Sequence, residues 1–208
     1  MTARIDHLVY AAPDLAAGIE QVEKLLGVKA VPGGQHPGAG TRNALIRLGE
    51  LTYLEIIGPD PDQQKPAQPR RFGIDQLKAP RLVTWAAKGE DLEALITNAK
   101  SKGIDLGQVQ SGSRRRPDGV LLSWRLTVSP TLNADGIVPF FIDWGATPHP
   151  AASLPKGCTL ISLRAEHPNA QRVRAMLVGT GLNLPVEAGT TPALIALVRT
   201  PHGDVELR

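Results

Sequence analysis

Three stretches of the chain have nearly the same pattern: IDHLVYAAPDLAAGIEQVEKLLGV at residues 5–28, RLVTWAAKGEDLEALITNAKSKGI at residues 81–104 and LISLRAEHPNAQRVRAMLVGTGL at residues 160–182. Each begins with a short apolar run typical of a strand, passes a polar break and continues with apolar residues at helical spacing. A glycine closes each helical pattern, and further strand-like runs follow it. The sequence therefore predicts a strand-helix-strands unit that occurs three times.

The pattern outside these stretches predicts where the units begin and end. We expect β-α-β-β-β units at residues 1–58, 81–145 and 158–208, joined by proline-rich linkers at residues 59–80 and 146–157. The first linker is expected to lack regular structure except for a short turn around residues 72–77. A glycine-rich loop is predicted at residues 33–40, between two strands of the first unit.

Composition indicates an ordinary folded protein. Apolar residues make up 42% and charged residues 21% of the 208 residues, enough to bury a sizeable core. The net charge of +3 comes with only 4% aromatic residues, so a basic stripe with interleaved stacking residues is missing and no nucleic-acid partner is expected. The single cysteine, Cys158, excludes an internal disulfide. No signal peptide or membrane span is recognisable, so we expect a cytoplasmic protein without a membrane partner.

Several sequence motifs resemble those of a known family. Repeated βαβββ units, with a histidine on the opening strand and a glutamate on the closing strand of the first, resemble the vicinal oxygen chelate superfamily, which includes glyoxalase I, extradiol dioxygenases and bleomycin-resistance proteins. The words DHLVYAAPDL, GGQHPGAGTRNALIRLG, YLEIIGP and PFFIDWG are similar to the glyoxalase-like domain family within it. This resemblance implies an α+β protein in which modules curl mixed sheets around a cleft and carry their helices on the outer face.

The resemblance also implies a site. A divalent metal in this superfamily is typically held by residues on opening and closing strands of two modules, and His7 and Glu55 match the positions of the first module. In the second and third units, Leu82 and Ser162 stand where a second histidine would be sought. Asp143 on a closing strand is a candidate second carboxylate for catalysis, together with Glu55 and His7. Any bound metal is therefore expected to be incompletely ligated by protein.

Other residues are candidates for substrate binding. His36, within the glycine-rich loop, and Thr41 and Asn43, just after it, are expected to project polar groups toward the mouth of the sheet, although a plain connecting loop is the alternative. Trp124 is expected to form an apolar wall of the cleft, with a core tryptophan as the alternative. The arginine run RRR at residues 114–116 is interpreted as a solvated hairpin, or as a group that steers an anionic substrate.

Two functions from different classes remain open. One is an enzyme, a lyase, isomerase or dioxygenase relative that acts on a small oxygen-rich metabolite, with Glu55 moving a proton and a divalent ion as a possible cofactor. The other is a metal-free protein that binds or sequesters a small molecule, as bleomycin-resistance proteins do. A homodimer is also predicted, because three units leave one sheet without a partner in the chain.

Overall fold

A computed structural model of the chain describes residues 5–116 and 118–208, and the same element order occurs three times in it. The first unit consists of β1 (Ile5–Ala11), α1 (Leu15–Leu26), β2 (Val31–His36), β3 (Thr41–Gly49) and β4 (Thr52–Pro59). The second consists of β5 (Arg81–Lys88), α2 (Leu92–Ser101), β6 (Gln108–Arg115), β7 (Leu121–Val128) and β8 (Phe140–Asp143). The third consists of β9 (Thr159–His167), α3 (Ala170–Gly179), β10 (Val186–Ala188), β11 (Ala193–Thr200) and β12 (Gly203–Leu207).

The first two units share one eight-stranded mixed sheet with the order β2-β3-β4-β1-β5-β8-β7-β6. The two opening strands join the units, since β1 pairs antiparallel with β5 and parallel with its own closing strand β4. This architecture confirms the predicted α+β class with curled mixed sheets. The opening strand of the first unit therefore lies at the centre of the sheet, between the strands that carry Tyr53 and Glu55 on one side and Ala86 on the other.

Strand alternation sorts the residues of β1 and β4 between two environments. Leu8 and Tyr10 belong to the large core on the outer face, which also contains Val22 of α1. Val9 and Ile57 belong to a smaller apolar cluster on the inner face. The helix is fixed at both ends, because Asp14 accepts a hydrogen bond from the backbone of Ala17 and the C-terminal Gly27 adopts a left-handed conformation.

The eight-stranded sheet curls until its two edge strands meet. Arg114 of β6 donates a hydrogen bond to the carbonyl of Gly33 in β2. At Gly34 the backbone has φ 144°, and a Cβ there would lie 2.7 Å from the carbonyl oxygen of Arg115. Glycine at position 34 is therefore what allows the edges to approach, and the inner face of the sheet becomes the wall of a nearly closed barrel.

The glycine-rich segment is more regular than the sequence predicts. Residues 33–36 continue β2, and the connection to β3 is a tight turn at residues 37–40. The pairing of β2 with β3 shifts register between Pro32 and Gly34, which accommodates glycines inside the strand. The loop predicted at residues 33–40 is thus shorter than expected, and His36 lies on a strand directly opposite Thr41.

The third unit forms a separate four-stranded sheet with the order β10-β9-β11-β12. Its buried residues, among them Leu163 and Leu194, belong to the same apolar core as Leu8 and Trp85 of the large sheet. The sheet that the sequence left without a partner is therefore covered within its own chain, while the homodimer stays a prediction. In the described part of the chain, none of the helices has the length and apolar character needed to cross a membrane.

Candidate functional site

The barrel encloses a cavity of about 420 Å³, a volume in the range of small-molecule sites. Polar and charged side chains cluster at one part of its wall, and aromatic rings form much of the rest. The first group consists of His7, His36, Thr41, Asn43, Glu55, Arg71, Gln110 and Arg114. The second consists of Tyr53, Phe72, Trp124, Phe140 and Trp144.

Glu55 is the carboxylate of this cavity and is 7% exposed. Its Oε1 accepts a hydrogen bond of 2.5 Å from the side-chain amide of Asn43. Its Oε2 lies 3.8 Å from Nε2 of His7. Because one oxygen is engaged by an amide and the other faces an imidazole, the carboxylate is held with Oε2 as the atom available for proton transfer.

Asn43 depends on a glycine for its position. A Cβ at Gly33 would lie 2.0 Å from the Oδ1 atom of Asn43. That oxygen is buried and has no hydrogen-bond partner among the described residues. The absence of a side chain at position 33 therefore lets the amide reach Glu55, and an unpaired buried oxygen is the cost of that arrangement.

His36 approaches the same carboxylate from the opposite side, with Nε2 3.9 Å from Oε1 of Glu55. Nδ1 of His36 lies 3.0 Å from the hydroxyl of Thr41, and its Nε2 lies 3.3 Å from the amide nitrogen of Asn43. Burial lowers the pKa of His36, and the nearby Arg114 and Arg71 lower it further against the opposing effect of Glu55. His36 is therefore a neutral imidazole near pH 7.

A buried acid behind the cavity orients His7. Asp6 is inaccessible to solvent and accepts hydrogen bonds from Nδ1 of His7 at 2.8 Å, Nε2 of His149 at 3.1 Å and Nε1 of Trp144 at 3.1 Å. Burial alone would raise the pKa of Asp6, but the hydrogen bonds from His149 and His7 hold it well below its usual range. Since Nδ1 of His7 donates to Asp6, Nε2 is the ring nitrogen that faces Glu55.

The Asp6 network is possible because β1 is irregular. The pairing of β1 with β5 shifts register between Ile5 and His7, so Asp6 is an extra residue in the strand. His149 arrives from the connection after β8, where its Nδ1 accepts a hydrogen bond from the backbone of Ala151. The proton of His149 therefore lies on Nε2, the atom that donates to Asp6.

The first linker closes one side of the cavity. A short 3₁₀ turn at Arg71–Gln76 brings Arg71 and Phe72 to the cavity wall, and Ile74 of the same turn is buried in the inner apolar cluster. The guanidinium of Arg71 lies 4.8 Å from the centre of the Phe72 ring and 5.5 Å from that of Phe140. Phe72 has a φ of 62°, a strained conformation for a residue with a side chain.

Arg114 and Trp124 form the wall on the side of the second unit. Arg114 is only 4% exposed, and burial lowers the pKa of its guanidinium. Trp124 lies opposite Gly112 in the β6–β7 pair, where a Cβ would come within 2.6 Å of the indole. The ring therefore lies over a strand position that only glycine leaves free, and it packs 5.5 Å from the ring of Trp144.

The structure brings most of the sequence-predicted site residues together. The cavity is lined by His7, His36, Thr41, Asn43, Glu55 and Trp124. Asp143 lines an adjoining open groove instead, and its side chain accepts a hydrogen bond from the backbone of Gly145 at 2.8 Å. Alternation along β8 explains this placement, because Phe140 and Ile142 face the cavity and Asp143 lies between inward positions.

Several residues of the site and of its supporting network were not predicted as site residues from the sequence. The network acid Asp6 was not singled out, Arg71 was assigned to a linker, and the run containing Arg114 was interpreted first as a solvated hairpin. Arg115 is exposed, but Arg114 is buried, so that interpretation is wrong for residue 114. A usable signal existed only for the linker, where the apolar residues Phe72 and Ile74 follow an arginine pair.

The donor set does not fit a resident divalent metal. His7 and His36 reach Glu55 from two sides, but the amide N–H of Asn43 stands between His36 and the carboxylate. The second unit lines the cavity with serine, glutamine, arginine and aromatic side chains and contributes no histidine or carboxylate. Across residues 5–116 and 118–208, no group of three or more His, Cys, Asp and Glu side chains is arranged to hold a metal ion.

Leu82 and Ser162 also contribute no ligand. Leu82 is buried in the outer core, and Ser162 is exposed in the smaller sheet. The second unit also presents the guanidinium of Arg114 to the cavity. Positive charge at that position opposes binding of a cation.

Paired βαβββ units that share a curled sheet around a polar cavity define a protein of the vicinal oxygen chelate class. The model of the glyoxalase-like domain family matches residues 5–181. The chain therefore belongs to the glyoxalase-like domain family. Comparison of the sequence with curated proteins gives no match.

Solved structures with a related fold come from several bacteria. A hypothetical protein from Staphylococcus aureus matches with a TM-score of 0.69 and 14% sequence identity, covering 94% of this chain and 91% of that chain. A variant of Streptomyces coelicolor methylmalonyl-CoA epimerase in complex with 2-nitronate-propionyl-CoA has a TM-score of 0.48 and 20% identity, covering 70% of this chain and 100% of that chain. Methylmalonyl-CoA epimerase from Mycobacterium tuberculosis has a TM-score of 0.45 and 20% identity, covering 74% and 96%.

Proposed function

We propose that this protein is an enzyme that moves a proton on a small oxygen-rich metabolite, in an isomerase or lyase reaction, with Glu55 as the base. The observation that supports this is Glu55, hydrogen-bonded to Asn43 and 3.8 Å from Nε2 of His7, facing one cavity of small-molecule size. General base catalysis requires a carboxylate held within reach of a bound substrate and partly shielded from water. The cavity provides both conditions.

The reaction begins with transfer of a proton from a carbon next to a carbonyl group to Oε2 of Glu55. The electron pair of the broken C–H bond moves to the carbonyl oxygen and gives an enolate. Nε2 of His7, which is free to accept because Nδ1 donates to Asp6, stands 3.8 Å from Oε2 to receive the proton. Return of the proton to a different face or atom completes an isomerisation, and loss of a neighbouring leaving group completes a lyase reaction.

A divalent metal has no step in this scheme, because the donor set of the cavity does not fit one. The enolate forms instead in the positive field of Arg114 and Arg71, both of which line the cavity. Fixed positive charge in a site shielded from water stabilises developing negative charge strongly. Dioxygenase chemistry, which the sequence left open, finds no support in these residues.

Exchange of carbon-bound hydrogen tests the proposal directly. Small 2-oxo and 2-hydroxy carboxylates, ketones and aldehydes are incubated with the protein in D₂O, and the loss of each C–H signal is followed by proton NMR. We expect a protein-dependent loss for at least one compound, and Glu55→Gln should slow it about 100-fold or more. Glu50→Gln, at an exposed turn outside the cavity, is the matched control and should leave the rate unchanged.

A second function is favoured by a different observation. The four aromatic rings of Phe72, Trp124, Phe140 and Trp144 give the cavity apolar walls suited to a flat ligand. We propose binding without chemistry as the alternative. Ligand-induced changes in tryptophan fluorescence, with no C–H exchange for any compound that binds, would favour sequestration over catalysis.

A further inference from the structure

We infer that Arg71 and Arg114 form a subsite for the carboxylate of a monoanionic ligand with an apolar or aromatic body. This inference rests on the proposed function, because it names the class of molecule on which Glu55 would act. Its evidence is separate, since it concerns the cations of the cavity and not the base.

The two arginines differ from their neighbours in sequence. Arg70 forms an ion pair of 2.5 Å with Asp75, and Arg116 forms one of 2.7 Å with Asp118. Arg71 and Arg114 instead line the cavity, and neither forms an ion pair with a carboxylate of the described residues. In each basic cluster, therefore, one guanidinium lines the cavity and has no carboxylate of the described residues within ion-pair distance.

Burial makes the unpaired charge of Arg114 significant. Arg114 is only 4% exposed, and within the described part of the chain its guanidinium donates a hydrogen bond to the carbonyl of Gly33. A buried charge without a counterion is costly unless a ligand supplies one. Burial lowers the pKa of the Arg114 guanidinium, which expresses the same cost.

The charge balance of the cavity indicates the ligand charge. Leaving the imidazoles aside, the lining contains two guanidinium groups, those of Arg71 and Arg114, and one carboxylate, that of Glu55. One positive charge is therefore left over, which a monoanion neutralises. A planar carboxylate matches the fork of a guanidinium, whereas a phosphate dianion would leave excess negative charge beside Glu55.

The surroundings of Arg71 indicate the rest of the ligand. Its guanidinium lies over the rings of Phe72 and Phe140, so the cation is presented from an aromatic surface. The indoles of Trp124 and Trp144 continue the apolar wall. A carboxylate held by the arginines would thus be followed by a ligand body that contacts aromatic rings, within reach of Glu55.

Calorimetric titration of the full chain with matched probes tests the subsite. Phenylacetate carries the carboxylate and the ring, phenylacetamide carries the ring without the charge, and inorganic phosphate carries charge without the ring. We expect phenylacetate to bind at least about tenfold more tightly than either other probe. Equal binding of the amide, or tighter binding of phosphate, would overturn the inference.

Arginine variants locate the effect. Arg71→Met and Arg114→Met should each weaken phenylacetate binding about tenfold or more, while Arg115→Met, the adjacent exposed residue outside the cavity, should not. If Arg114→Met does not fold, Arg71→Met still decides the matter, because Arg71 is exposed and a wild-type affinity in that variant contradicts the subsite. Glu55→Gln should bind phenylacetate more tightly, since it removes a negative charge from the cavity.

The outcomes separate the two proposals. Arginine-dependent binding of phenylacetate without C–H exchange for any compound would support the subsite and reject the proposed proton transfer. Glu55-dependent exchange with binding that is indifferent to Arg71 and Arg114 would reject the subsite and leave the proton transfer standing.

Discussion

The two units that share the large sheet have the same order of strands and helix, but they contribute different chemistry to the cavity. The first unit contributes the groups suited to proton transfer, His7, His36 and Glu55, together with the amide of Asn43. The second contributes one guanidinium, aromatic rings and small polar side chains. A repeated fold therefore keeps its frame through outward-facing apolar residues, while the inward positions of the two copies are free to diverge.

Asp6 links the two halves, because it accepts hydrogen bonds from His7 on one side and Trp144 on the other. We expect its substitution to lower the stability of the protein most. Asp6→Asn places an N–H donor among three donors, so we expect the free energy of unfolding to fall by about 3 kcal/mol. Urea denaturation measures this. Asp62→Asn, at an exposed ion pair with Arg42, should cost less than about 1 kcal/mol.

The pH dependence of stability in wild type and Asp6→Asn tests whether the ionised Asp6 carboxylate is the cause of this loss. The pKa of Asp6 is lower in the folded chain than its ordinary value of 3.8, so its stabilising effect is complete above that pH and is lost as the pH falls further. The difference in the free energy of unfolding between wild type and Asp6→Asn should therefore vary by less than about 0.5 kcal/mol between pH 5 and 7. Below about pH 4 it should shrink. A difference that grows on acidification would contradict the assigned role.

A smaller effect is expected on the side of the second unit. Gly112→Ala places a Cβ within 2.6 Å of the Trp124 indole, so the ring must move and the aromatic wall changes shape. We expect a shift of tryptophan fluorescence and a phenylacetate affinity lowered about tenfold, with a loss of stability on the order of 1 kcal/mol.

The control for this change is another glycine. Gly49→Ala meets no atom closer than 3.5 Å and should leave fluorescence and affinity as they are. If Gly112→Ala also leaves the fluorescence and the affinity unchanged, the position of the Trp124 ring does not depend on glycine at position 112.

The smallest expected effect comes from removing metal. Because the second unit lacks ligands for the cavity, elemental analysis of untagged protein should find no stoichiometric divalent metal, and treatment with EDTA should leave C–H exchange unchanged. His7→Ala is analysed in parallel. Stoichiometric metal in the wild type that disappears in His7→Ala would show that the cavity does bind a divalent metal. His7 and Glu55 would then again be the candidate ligands.

The repeat and the strand period made much of the fold and part of the site predictable. An apolar strand interrupted by His7, and another interrupted by Glu55, are local signals, and alternation correctly places both residues on the inner face. The strands that follow each helix were also expected, although the end of β2 was placed too early because glycines inside a strand resemble a loop.

The remaining site residues depend on contacts between distant parts of the chain. Asp6 is buried only because Trp144 and His149 meet it across the sheet and because a register shift turns it beside His7. Arg114 faces the cavity through alternation within an irregular arginine run, and Arg71 reaches it from a segment without a strand or long helix. Such positions follow from closure of the barrel, which no local pattern indicates.

The turn that carries Arg71 and Phe72 lies outside all three repeats. The buried Ile74 and a hydrogen bond from Arg70 to the carbonyl of Gly40 hold this turn on the barrel, and the flanking strands β4 and β5 pair with β3 and β1 without it. The residues of this turn that line the cavity can therefore be changed without altering the strand pairing of the barrel. Exchanging residues 71–73 for those of another chain, with Arg70 and Ile74 retained, would offer protein engineers a way to graft new selectivity onto an unchanged barrel.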